Sequence, residues 1–230
     1  MKDKKIEDRK DIRDQSSVKG TFDFVYDLIM ANAWFIMFNI HMLVFLVLFR
    51  PGNLLAYYVF MGVLCLNLTP SYAALMYALD PEKREGRSVM KTFLEGYGQH
   101  FLQGFLLGLL GIIIMVAVQF NGVFFLIQDM DIPYALFQAV FFLVLVFVLS
   151  AVPVMMSEKK KLKEVLKETL SRYFRLLPVT ALTLFIMGVS LFFSQYIVFP
   201  VIFAFGLAAM TQNALTKKVL NKNMPQHKNK

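Results

Sequence analysis

The chemistry open to this chain lies in a few polar residues set among apolar ones. Asn67, Thr69 and Pro70 stand near the end of one apolar run, and Ser150 and Pro153 near the end of another. Proline has no backbone N–H, and its ring collides with the carbonyl four residues back, so Pro70 frees the carbonyl near Leu66. Asn67 or a neighbouring helix can take that carbonyl. A helix broken this way at membrane depth can line a substrate site. The competing reading is packing: Asn, Ser and Thr hydrogen-bond between membrane helices at about 0.6–2 kcal/mol each. Packing is favoured for this set. Asn39, His41, Thr180, Thr183, Ser190, Thr211, Gln212 and Asn213 are the other polar residues at depth.

Groups for catalysis are missing from the pattern. There is no Ser-His-Asp set, no phosphate-binding glycine loop and no pair of carboxylates within an apolar run. His41, His100 and His227 fall in different zones of the chain, which argues against a shared metal site. The single cysteine, Cys65, excludes an internal disulfide and a cysteine metal site. The expectation is a chain that is not an enzyme and holds no cofactor and no metal.

The elements that carry these residues are set by charge. Of 24 Lys and Arg, all but Arg50 fall in residues 1–20, 80–100, 157–176 and 217–230. Short basic loops stay on the cytoplasmic side of a membrane. Hydrophobic residues make up 57% of the chain and mean hydropathy is +0.57, both high for a soluble domain. The net charge of +8 faces anionic lipid headgroups rather than nucleic acid. No cleavable signal peptide is expected, because the first 20 residues hold seven basic and five acidic residues.

About 20 apolar residues cross a bilayer. The fold class expected is therefore an all-α integral membrane protein. Its six transmembrane helices span about 28–49, 54–79, 105–127, 134–156, 177–194 and 197–215. The last two form a hairpin turning near Ser194 and Gln195, because basic segments on both sides require an even number of crossings. Both termini are then cytoplasmic: a charged tail at 1–20, a membrane domain at 21–216 and a basic tail at 217–230. No charged residue falls within a span, which argues against an ion-driven pump. Asp23 and Asp27 suit the N-terminal end of the first helix.

Two basic loops read as amphipathic helices on the inner surface. In one, Leu162, Val165, Leu166, Thr169, Leu170, Tyr173 and Phe174 recur at helical spacing, with Lys161, Lys163, Lys167, Glu168 and Arg172 on the other faces. Leu162, Leu166, Leu170, Tyr173 and Phe174 make it a docking helix for lipid or a partner protein. In the other, Val89, Phe93, Tyr97 and Phe101 recur every four residues. Each Pro-bearing span is followed by such a helix and then a new span, the pattern of a weak internal duplication. Gly104, Gly108 and Gly111 give the third span a smooth face for close packing.

Several stretches match a known pattern. Asn32 and Trp34 stand at the opening of the first span. Leu68-Thr69-Pro70-Ser71-Tyr72-Ala73-Ala74-Leu75 lies at the end of the second, without the glycine usual before the proline. Thr92 to Phe101 carries His100 where Asn is common, and Arg175-Leu176-Leu177-Pro178 begins the fifth span. Over most of residues 20–220 the chain resembles the YesL-like family of small bacterial integral membrane proteins, whose domain has no known function. The resemblance implies a multi-pass protein of the bacterial plasma membrane, associated with carbohydrate uptake, and supplies no active site.

The function expected is a non-enzymatic membrane component accessory to the uptake of carbohydrate or another nutrient. Its partners would be the lipid bilayer and ABC importer subunits or another membrane protein, with no nucleic acid. The segment 164–178 bears a faint likeness to the coupling loop of ABC importer permeases, without its usual glycine. The alternative is a small transporter or channel with a midplane site at the Pro-containing second and fourth helices.

Overall fold

The computed structural model describes residues 21–48, 54–84, 86–157, 160–194, 196 and 199–221. They form α1 (Thr21–Phe38), α2 (Ile40–Leu48), α3 (Leu54–Cys65), α4 (Leu68–Ala78), α5 (Pro81–Arg84), α6 (Val89–Ile127), α7 (Asp131–Ser157), α8 (Leu162–Ser171), α9 (Tyr173–Ser194) and α10 (Phe199–Asn221). The described residues contain no strand. Five stretches among them are long and apolar enough to cross a membrane: Thr21–Phe38, Ala56–Ala78, Val89–Ile127, Asp131–Ser157 and Tyr173–Phe193. The described residues thus form an all-helical structure, with the spans of a membrane protein. The tail at 1–20, the loop at 50–53, the expected turn at Gln195 and the tail from 222 onward lie outside the described residues.

The expected first span is not one helix. It starts earlier, at Thr21, and is interrupted at Asn39. The second span is interrupted at Leu66 and Asn67. Pro70 therefore falls in the first turn of α4, where a missing N–H costs no helical hydrogen bond.

A second correction concerns the loop before the third span. Val89, Phe93, Tyr97 and Phe101 do not form a separate surface helix. They open α6, a continuous helix of 39 residues, about 58 Å at 1.5 Å per residue and longer than a hydrocarbon core of about 30 Å. Ser88 caps its start by accepting the Lys91 N–H at 3.5 Å. Val89, Thr92, Phe93 and Gly96 are buried, so this face packs on protein.

α4 is the axis of the bundle. Every residue from Thr69 to Ala78 is buried, enclosed by α6, α7 and α10 and by Phe35 of α1, whose ring meets Tyr72 edge-on at 6.2 Å. Ala73, Ala74 and Ala78 let these neighbours come close, which is how membrane helices associate when lipid is as apolar as their side chains. α7 runs through Pro153 as one helix, so the fourth span is not broken there, although Pro153 removes one bond from its ladder. α10 returns along α9, bringing Gln212 to Thr180.

Candidate functional site

Two buried polar nodes hold most of the expected site residues. The first lies where α1–α2 and α3–α4 are interrupted. At both points the ladder tightens to a bond three residues back: Asn39 N–H to the Ile36 carbonyl at 3.0 Å, and Leu66 N–H to the Val63 carbonyl at 3.3 Å. The side chains then complete what the backbone leaves open. Asn67 Nδ2 donates to the Phe38 carbonyl at 2.7 Å and to Asn39 Oδ1 at 3.4 Å. Asn39 Nδ2 donates to the Phe35 carbonyl at 2.8 Å and to Ser71 Oγ at 2.8 Å. Ser71 donates to the Asn67 carbonyl at 2.7 Å. Tyr97 of α6 donates its hydroxyl to Asn67 Oδ1 at 2.6 Å.

α6 presses on this node through its glycines. A Cβ at Gly104 would lie 2.9 Å from Pro70 Cα, and one at Gly108 would lie 2.9 Å from Thr69 Oγ1. One at Gly111 would lie 2.5 Å from Val148 of α7. These glycines are where the α6 backbone comes close to its neighbours.

The second node joins α4, α7, α9 and α10. Ser150 and Thr180 share a hydrogen bond of 2.7 Å. Pro153 cannot donate to the Leu149 carbonyl four residues back. Gln212 supplies the missing donor: its Nε2 reaches that carbonyl at 2.9 Å while its Oε1 accepts the Tyr72 hydroxyl at 2.9 Å. The expected substrate-lining set is thus split between the nodes, with Asn67, Thr69 and Pro70 at the first and Ser150 and Pro153 at the second. Among the described residues no buried side-chain nitrogen or oxygen lacks a hydrogen-bond partner.

Where α5 lies beside the last turns of α10, and again around α8, the charges pair. Asp80, 3% exposed, receives Lys217 Nζ at 2.8 Å and Asn213 Nδ2 at 3.3 Å. Lys217 also reaches Glu82 at 2.8 Å. Burial alone would lower the Lys217 ammonium, but hydrogen bonds to Asp80 and Glu82 outweigh it and raise its pKa. Asp27 pairs with Arg84 beside a cavity of about 290 Å³ that Phe24, Leu79 and Met210 also line. Glu168 pairs with Lys160 and with Arg172 at 3.2 Å. Asp80 is therefore a buried charge at a span end that counting charges within spans does not find, and Asp27 serves an ion pair across elements.

The expected docking face of α8 divides. Glu164 accepts the Lys161 N–H at 3.1 Å and fixes the first turn. Val165 and Thr169 are buried against α7, and Leu162 and Leu166 pack against the core. Tyr173 donates its hydroxyl to the Leu143 carbonyl at 3.0 Å. Only Leu170, 69% exposed, and Phe174, 86% exposed, point outward. Of the apolar positions that the helical spacing puts together, Val165 and Thr169 are the ones that anchor α8. Sequence reasoning overlooked Gln119 and Gln138, whose amides exchange bonds of 3.1 and 3.2 Å between α6 and α7. Their one visible signal was two glutamines flanking the same hairpin.

Among the described residues no group of three or more His, Cys, Asp or Glu is placed to hold a metal. Residues 28–122 match a family model described as a protein of unknown function, DUF624. No curated protein matches the chain, and no solved structure matches it. The matched stretch takes in both helix interruptions and their Tyr97 partner, so the likeness to a family of unknown function is shown for the part of the chain that builds the first node.

Proposed function

We propose that this chain is a non-enzymatic polytopic membrane protein accessory to the uptake of carbohydrate or another nutrient, acting through the end of the bundle that carries α5 and α8. The observation that carries this reading is that the first node is saturated by its own members. The Asn67 amide donates to Phe38 and Asn39 while its oxygen accepts from Tyr97, so both of its N–H groups and its oxygen are already engaged within the protein. The outward-facing groups lie elsewhere, at Leu170 and Phe174, with Lys163, Lys167 and Arg175 close by in sequence. That combination suits the headgroup region of an inner leaflet or the cytoplasmic face of an ABC importer subunit. The link to carbohydrate rests only on the sequence resemblance to the YesL-like family.

The finer topology belongs to the same proposal: six spans, both termini cytoplasmic, in a bacterial plasma membrane. The return of α10 along α9 supports an even number of crossings. Cysteines introduced at positions 52, 130 and 195 should label from outside, and those at 15, 86, 160 and 225 should not. Labelling at 225 from outside would remove the sixth span.

The function is tested by solubilising the full chain from its own membranes and weighing what elutes with it. Stoichiometric importer ATPase or permease subunits, lost on Leu170→Asp with Phe174→Asp, support the accessory role. A second reading, a small transporter, draws on the paired helix interruptions, since discontinuous helices mark many transport sites. Solute flux by the purified chain alone would favour it.

A further inference from the structure

The two interruptions face each other, and that juxtaposition has a mechanical consequence. Asn67 Nδ2 bonds the carbonyl of Phe38, the last residue of α1. One helix therefore breaks where the other breaks. α2 and α3 both lie on the far side of this line from the buried α4.

Across that line α2 and α3 hold to each other. Phe45 stacks with Tyr57 at 6.1 Å and meets Phe60 at 6.3 Å. His41 Nε2 lies 3.1 Å from the Leu64 carbonyl, and Cys65 donates to the Met42 sulfur at 3.6 Å. Ile40, Val44, Val59, Phe60 and Val63 are exposed. Contact with α6 runs through Gly62, where a Cβ would stand 2.8 Å from Ile112, beside an apolar crevice of about 140 Å³ lined by Tyr58, Met61, Cys65 and Val116. On the near side the bundle is fixed by the burial of α4 and by the Asp80–Lys217 and Asp27–Arg84 pairs.

We propose that α2 and α3 form a two-helix flap that pivots as a unit on the facing interruptions at Asn39 and Asn67. The Tyr97–Asn67 hydrogen bond is its latch. Bending at these points breaks no regular helical ladder, because the ladder is already interrupted there, and the side-chain bonds of Asn39, Asn67 and Ser71 can follow a small rotation. Opening widens the crevice along α6, whereas closure seats Gly62 on Ile112. Hinges of this kind sit at element ends that absorb the backbone change.

The test uses the full chain in lipid vesicles with Cys65→Ser as background. Spin labels on Val59→Cys and Leu143→Cys report flap against bundle, and labels on Leu110→Cys and Leu143→Cys report bundle against bundle. Tyr97→Phe removes the latch hydroxyl and little else. The expected result is a second, displaced distance population in the flap pair, enriched about 2–10-fold over the parent, as losing one neutral hydrogen bond allows, with the bundle pair unchanged. If Tyr97→Phe does not fold, Ser71→Ala loosens the Asn39 side of the same pivot and should act alike. An unchanged flap pair overturns the proposal. Broadening of both pairs together also overturns it, because the change would then be general loosening.

Discussion

Replacing Gln212 by Leu should expose how this bundle tolerates Pro153. Gln212 is completely buried. Its Nε2 lies 2.9 Å from the Leu149 carbonyl, the group that Pro153 leaves without a helical donor. Its Oε1 takes the Tyr72 hydroxyl at 2.9 Å. Leucine removes both bonds, together with the long 3.5 Å contact to Thr180, and strands the Leu149 carbonyl and the Tyr72 hydroxyl away from water. Interhelical bonds of this kind contribute about 0.6–2 kcal/mol each, and an unsatisfied buried group adds about 1–3 kcal/mol. Because the stranded hydroxyl can turn toward other acceptors, the expected cost is about 2–4 kcal/mol. The informative measurement is a double-mutant cycle. Pro153→Ala restores a backbone N–H that can satisfy Leu149 within α7, so Gln212→Leu in that background should cost about 1–2 kcal/mol less. Reversible unfolding in mixed micelles gives the four stabilities. An equal cost in both backgrounds, within about 0.5 kcal/mol, would refute the pairing of Gln212 with the proline-freed carbonyl.

Lys217→Met should cost about 1–3 kcal/mol, between the values for exposed and buried ion pairs, because Asp80 is buried while the Lys217 side chain is 36% exposed. A lysine raised by its partners stabilises fully below its unfolded pKa, so the difference between parent and variant should hold through neutral pH. On the alkaline side it should shrink as pH climbs past about 10.4, which alkaline unfolding curves would read. Gly104→Val drives a side chain against the Pro70 backbone and should cost the upper end of about 1–3 kcal/mol, whereas Gly98→Ala, with open space around it, should be neutral or stabilising in thermal melts. In α8, Val165→Asp should cost stability because Val165 is buried in the core, while Leu170→Asp should leave the melting temperature unchanged and weaken only docking.

The spans were legible because charge and apolar length are local properties of the chain. Lys159 to Lys161 and the tail from Lys217 mark loop ends without reference to any contact. The interruption in the second span was legible through Pro70 for the same reason, although it falls three to four residues earlier, where the chain can turn without a clash. What closes it was not legible: Asn39 and Tyr97 stand 28 and 30 residues from Asn67, and nothing in spacing joins them. Asp80 and Lys217, 137 residues apart, pose the same problem, and each looks like an ordinary loop charge. The start of α6 reads as a separate surface helix because Lys91 and Glu95 stand between its apolar positions. The burial of Val89 and Phe93 and the close approach of Gly96 to Tyr77 are contacts with distant residues that this local pattern does not carry.

Flux through the purified chain tests the central claim most directly, since an accessory protein with a saturated polar node should move no solute by itself. Reconstituted into vesicles, the parent and Asn67→Leu should both take up a panel of labelled mono- and disaccharides no faster than protein-free vesicles. Saturable uptake by the parent that Asn67→Leu abolishes, with the variant as stable as the parent, would contradict the account and identify the first node as a transport site.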